Sequence, residues 1–136
     1  MAKIARLVLA GAIVVLVVLG LGYAWGASGR GTLQTALTDA EQRLDIADAR
    51  GQVLDARVSL YNMNFGDASR RFEDAKEPLR RTRQRYVDAG NTDAVRSLSA
   101  ALERLDEAQR LAGKLEPAAN TKAGEALEAI KVATSR

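Results

Sequence analysis

The chain has 136 residues, a net charge of +3, and neither cysteine nor histidine. That excludes a disulfide framework, a thiolate nucleophile or metal site, and the usual general base and commonest metal ligand. Aromatic residues make up only 4% and Pro occurs twice, while Ala, Leu, Arg, Asp and Glu dominate, which is the composition of helices rather than strands.

The first element is an apolar run from Leu7 to Trp25, nineteen positions with no charge and no polar side chain before Tyr23. As a helix it would be roughly 28 Å long, matching the ~30 Å hydrocarbon core of a bilayer. Backbone groups in lipid must be satisfied internally, so a helix is the expected form. Tyr23 and Trp25 stand where interface aromatics belong. Lys3 and Arg6 precede the run and Arg30 follows it, soon joined by Asp39 and Glu41. This slight basic bias favours an N-terminus in the cytoplasm. In a bacterium the C-terminal domain would then lie in the periplasm, on the outer side of the inner membrane. The competing reading is a cleaved signal peptide, with MAKIAR as its basic region; the run is longer than the usual ~7–15 apolar residues of such signals, so a retained anchor over residues 1–25 is expected. Gly22 and Gly26, and Gly20 and Ala24, are spaced four apart. Small residues at that spacing let another membrane helix approach closely, so these four positions are candidate packing residues.

Residues 26–31 (Gly-Ala-Ser-Gly-Arg-Gly) read as a glycine-rich hinge. Beyond it lie about 105 residues, enough for one small domain. Thr32 can cap a helix, and from Leu33 the apolar positions run Leu33, Leu37, Ala40, Leu44, Ala47, Gly51, Leu54, Val58 and Tyr61. Their spacing alternates four and three, a heptad seam that predicts a long helix over 32–63 whose seam is its buried face. The stretch Asn62 to Asp67 holds two Asn, a Gly, and an Asp suited to cap the next helix, so a turn is expected there. A second helix follows over 67–88, kinked or split by Pro78. Gly90-Asn91-Thr92 marks a stop and restart. A third helix is expected over 93–114, with Val95, Leu98, Leu102, Leu105, Ala108 and Leu111 or Ala112 inward. A fourth is expected over 120–134 around Ala123, Leu127 and Ile130. The expected fold is therefore all-α: one transmembrane helix followed by a four-helix antiparallel bundle or array with a long first helix.

Asn64-Phe65-Gly66-Asp67-Ala68, then Phe72 and Ala75, resembles the turn and second helix of a tetratricopeptide-type hairpin. The resemblance covers about residues 54–76. It implies a helical hairpin and, as one alternative function, a membrane-tethered adaptor for peptide or protein partners. The first helix lacks that family's Trp and Leu-Gly pair, and no second copy recurs at its ~34-residue period.

Residues 70–85 (RRFEDAKEPLRRTRQR) carry seven basic and three acidic residues. Arg70–Asp74 and Glu77–Arg81 are spaced as i,i+4 pairs, which leaves Lys76, Arg80 and Arg83 as a candidate basic stripe for an acidic partner surface or lipid headgroups. Asp39, Glu41, Asp45, Asp48 and Asp55 on the first helix are acidic counterparts, for this fold or for another subunit. Nucleic acid is not an expected partner, because no recognised motif and no interleaved stacking aromatics accompany the charges.

Carboxylates repeat along helix faces rather than converge on a pocket, and no phosphate-cradling glycine loop of the required form exists. The expectation is a protein without catalysis, cofactor or metal. Its leading reading is a single-pass accessory subunit that stabilises a larger membrane complex of respiratory, photosynthetic or transport type. Its partners would be integral membrane subunits and lipid. The alternatives are the tethered adaptor and a homo-oligomeric coiled-coil envelope protein.

Overall fold

The structure is a computed structural model that describes the backbone of residues 2–135 and the side chains of residues 15, 17 and 31–135. Four helices account for the described chain, with no strand among the described residues: α1 (Ala2–Tyr61), α2 (Phe65–Asp88), α3 (Thr92–Gly113) and α4 (Ala119–Thr134). The chain divides into two units, Met1–Ala40 and Glu41–Arg136. In the first, α1 is helical through positions 26–31, where a hinge was expected. Gly, Ala and Ser weaken a helix by no more than ~1 kcal/mol per residue and, unlike Pro, do not block it. Among the described residues no helix is long and apolar enough to cross a membrane; the run Leu7–Trp25 lies outside the described side chains except for Val15 and Val17, both exposed.

The second unit is an all-α bundle of α2, α3, α4 and the C-terminal third of α1. Its turns share one construction. Each preceding helix closes with a hydrogen bond spanning five residues: Asn64 N–H to the Ser59 carbonyl (2.8 Å), Asn91 to Tyr86 (2.9 Å) and Glu116 to Leu111 (3.0 Å). The residue before each donor has positive φ: Met63 (58°), Gly90 (70°) and Leu115 (59°). This is the Schellman closure of a helix end, and only Gly90 fills its left-handed position without strain. Asn then caps α2 and α3, whereas α4 starts from Ala118 with no side-chain cap. The Asn64 side chain accepts from the Asp67 N–H at 3.2 Å and the Asn91 side chain accepts from Ala94 at 3.1 Å. The α2 cap is therefore Asn64, three residues earlier than the expected Asp67. Pro78 neither splits nor ends α2, and it is buried.

The core is built on alanine. Ala49, Ala56, Ala68, Ala75, Ala101, Ala108, Ala112, Ala119, Ala123 and Ala126 are fully buried around Phe72, Leu79, Leu98, Leu105, Ile130 and Val53. Small residues at the crossings bring helices close, and a few large side chains fill the space between. The bundle corrects the assignment of α1. Its buried residues are Ile46, Ala49, Val53, Ala56 and Leu60, not the leucine-rich seam. Both sets follow the same alternation of three and four, so α1 carries two heptad stripes. The expected inward positions of α3 and α4 fare better: Leu98, Leu105, Ala108, Leu111, Ala112, Ala123 and Ile130 are buried and Leu102 and Leu127 half-buried, though at the start of α3 Ala94 is buried and Val95 only half-buried.

Candidate functional site

Two surfaces carry the side chains singled out from the sequence. The first is the outer face of α1. Leu44, Leu54, Val58 and Tyr61 in the bundle unit, and Leu33 and Leu37 in the N-terminal unit, are 48–72% exposed. Between them Ala40, Ala47 and Gly51 are exposed as well. A helix normally buries its apolar stripe and exposes its charges. Here α1 satisfies its own fold with the Ile46–Leu60 stripe and leaves the second stripe in solvent. Scattered exposed leucines need no explanation, whereas Leu44, Ala47, Gly51, Leu54, Val58 and Tyr61 follow one helical line within the bundle unit. A Cβ at Gly51 would meet nothing within 4 Å, so the fold itself does not require glycine there. At the foot of the stripe the Tyr61 hydroxyl accepts from Asn120 Nδ2 at 3.1 Å, and Asn120 Oδ1 accepts from Arg57 Nε at 2.7 Å. These bonds fix the last turn of α1 against the start of α4.

The second surface is the charged face between α1, α2 and α3. Three of the five acidic residues singled out on α1, Glu41, Asp45 and Asp55, pair with α2, though through other arginines than the expected stripe. Asp45 accepts from Arg81 at 2.7 Å and from Arg85 at 2.5 Å; Arg85 also lies 3.4 Å from Glu41, and Arg71 lies 3.4 Å from Asp55. Burial pushes the Asp45 carboxyl up, but the two guanidiniums outweigh it and hold the group below its ordinary range. Ser59 donates to Asp67 at 2.6 Å, which, with Arg71 and Arg70 nearby, lowers that carboxyl too.

Of the expected stripe Lys76, Arg80 and Arg83, only Arg80 is exposed. Lys76 is buried, its ammonium donating to Asp106 and Gln109 at 2.6 Å and lying 2.7 Å from Glu73. Burial disfavours its charge, yet Asp106 and Glu73 prevail and the pKa rises. Arg80 lies 3.9 Å from Glu73 and 3.8 Å from Glu77. Arg83 is half-buried, and its Nε has no hydrogen-bond partner. The three do not form a free cationic face, because Glu73 and the acceptors of α3 absorb Lys76. The pairing of Lys76 with Asp106 joins residues thirty apart, a separation at which helical spacing carries no signal. Of the two expected local pairs, Glu77–Arg81 is present at 3.6 Å, whereas Arg70 turns to Asp67 at 3.0 Å.

Gly20, Gly22, Ala24 and Gly26, with Tyr23 and Trp25, lie outside the described side chains. Among the described residues no group of three or more acidic, His or Cys side chains is gathered as a metal would require. Three surface hollows, beside Ser97 and Ala133, beside Met63 and Pro117, and beside Val87 and Val95, hold about 100, 120 and 170 Å³. Small-molecule pockets usually hold ~300 Å³ or more. Ala68, Phe72 and Ala75, which carry the tetratricopeptide-type resemblance, are fully buried core residues of α2. No family model, no curated protein and no solved structure matches the chain.

Proposed function

We propose that the chain is a non-catalytic, single-pass membrane-anchored scaffold subunit that works by helix-on-helix docking. The observation that carries this reading is the uncovered apolar stripe of α1, on a helix whose other stripe already serves the fold. The apolar run Leu7–Trp25 supplies the anchor, with Tyr23 and Trp25 at the interface and Gly20, Gly22, Ala24 and Gly26 toward neighbouring membrane helices. Integral subunits of a larger complex are the partners in the bilayer. The extrinsic bundle lies beyond the membrane, in the periplasm under the orientation argued above. The small size of the described hollows lends no support to the peptide-binding alternative.

The test is extraction of a tagged full chain. It should stay with membranes through an alkaline wash and leave them in gentle detergent, bringing partner chains in fixed ratio. Release by the wash alone contradicts the anchor. Emergence as a lone monomer contradicts the docking role.

A further inference from the structure

The uncovered stripe of α1 has a register, and the register selects a partner. In heptad terms Leu44, Gly51 and Val58 occupy one seam position, and Ala47, Leu54 and Tyr61 the other. The residue before each of Leu44, Gly51 and Val58 is an arginine: Arg43, Arg50 and Arg57. The residue after Ala47 and after Leu54 is an aspartate, Asp48 and Asp55, and Glu41 holds the same place one heptad earlier. One flank of the seam is therefore basic and the other acidic. When two such helices run parallel and in register, the basic flank of each faces the acidic flank of the other. Arg43 then lies opposite Asp48, and Arg50 opposite Asp55. When they run antiparallel, arginine faces arginine and carboxylate faces carboxylate.

We infer that the outer face of α1 binds a second copy of this chain as a parallel, in-register two-helix coiled coil. The inference rests on the docking role proposed above and names its partner. Most flanking groups are accessible for it. Arg43, Asp48 and Arg50 are exposed and among the described residues make no ion pair within 4.0 Å, although Asp48 adds to the field that raises the Arg81 pKa. Asp55 and Glu41 remain exposed although Arg71 and Arg85 approach them; Arg57 is half-buried through Asn120. Ala47 and Gly51 permit close approach of two backbones, which the fold of one chain does not use. The same three-and-four spacing continues in sequence through Ala40, Leu37 and Leu33, giving four heptads, the length at which such patterns sustain a coiled coil. Two copies anchored in one bilayer by their N-terminal runs also start out parallel.

The chain has no cysteine, so a single introduced cysteine can be linked only to its own copy. Full-length Ala47→Cys and Leu54→Cys, reconstituted in phosphatidylcholine–phosphatidylglycerol vesicles and mildly oxidised, should each give a covalent dimer. Glu103→Cys, on an exposed position of α3, should not. Arg43→Glu should reduce dimer yield from Leu54→Cys, and adding Asp48→Arg in the same chain should restore it, because the swapped charges again face their opposites. Failure of either seam cysteine to self-link, or failure of the double swap to restore, overturns the proposal. If the wild-type chain instead purifies with a different integral protein and no seam cysteine self-links, the second copy is excluded and the scaffold role survives. A lone monomer overturns both.

Discussion

Lys76 shows how this bundle treats charge. Its side chain is 5% exposed and its ammonium meets three acceptors, whereas Glu73 and Asp106 are more than half exposed. The asymmetry decides which change is costly. Lys76→Met removes the buried charge and leaves two carboxylates that water can solvate, so the loss should stay below about 1 kcal/mol. Removing Asp106 and Gln109 together by alanine strands most of a buried ammonium and should cost about 1–3 kcal/mol. Urea unfolding midpoints of the two variants check the order. A larger loss for Lys76→Met would mean that the ion pairs themselves, rather than burial of the lysine, set the energetics.

Among the elements, α1 separates what sequence can disclose from what it cannot. The loops that separate α1, α2, α3 and α4, the Asn91 restart and most inward residues of α3 and α4 were readable from breakers and period; the continuity of α1 through positions 26–31 was not. The buried face of α1 was not. Leucine outranks alanine by apolar area, so the stripe through Leu37, Leu44 and Leu54 looked like the core. The bundle buries Ile46, Ala49, Val53, Ala56 and Leu60 instead, and α2 brings Arg71, Arg81 and Arg85 to Asp45 and Asp55 at the border of that stripe. Those partners lie 16–40 residues away in sequence, beyond the reach of local periodicity. The basic stripe failed for the same reason, since Asp106 and Gln109 reach Lys76 from another helix. Gly51 offers a test within the element. It sits mid-helix with open space around it, so Gly51→Ala should stabilise the monomeric bundle by about 1 kcal/mol. Thermal unfolding checks this, and a loss instead would show that the glycine serves the single chain.

At the scale of the whole molecule, hydrogen bonds and ion pairs within and between helices tie stability to pH at both ends. Asp45, Asp67 and Glu73 have folded pKa values below the ordinary 3.8 and 4.5, so the unfolded chain binds more protons in that window. Their contribution is complete above the ordinary values and is lost as pH falls through the folded ones. Lys76 has a folded pKa above 10.5; its contribution is complete below that value and is lost as pH rises through the folded one. The urea midpoint should therefore be flat between about pH 5 and pH 10 and fall on either side, and Asp45→Asn should flatten part of the acid limb. The central claim is that α1 folds the bundle with one stripe and docks with the other. It is tested most directly by far-ultraviolet circular dichroism of the detergent-solubilised full chain carrying Leu44→Glu and Leu54→Glu, beside a chain carrying Val53→Glu. The account predicts an unchanged helical signal for the first and a marked loss for the second, whose charge would enter the core. A helical signal lost in the Leu44→Glu, Leu54→Glu chain would contradict it.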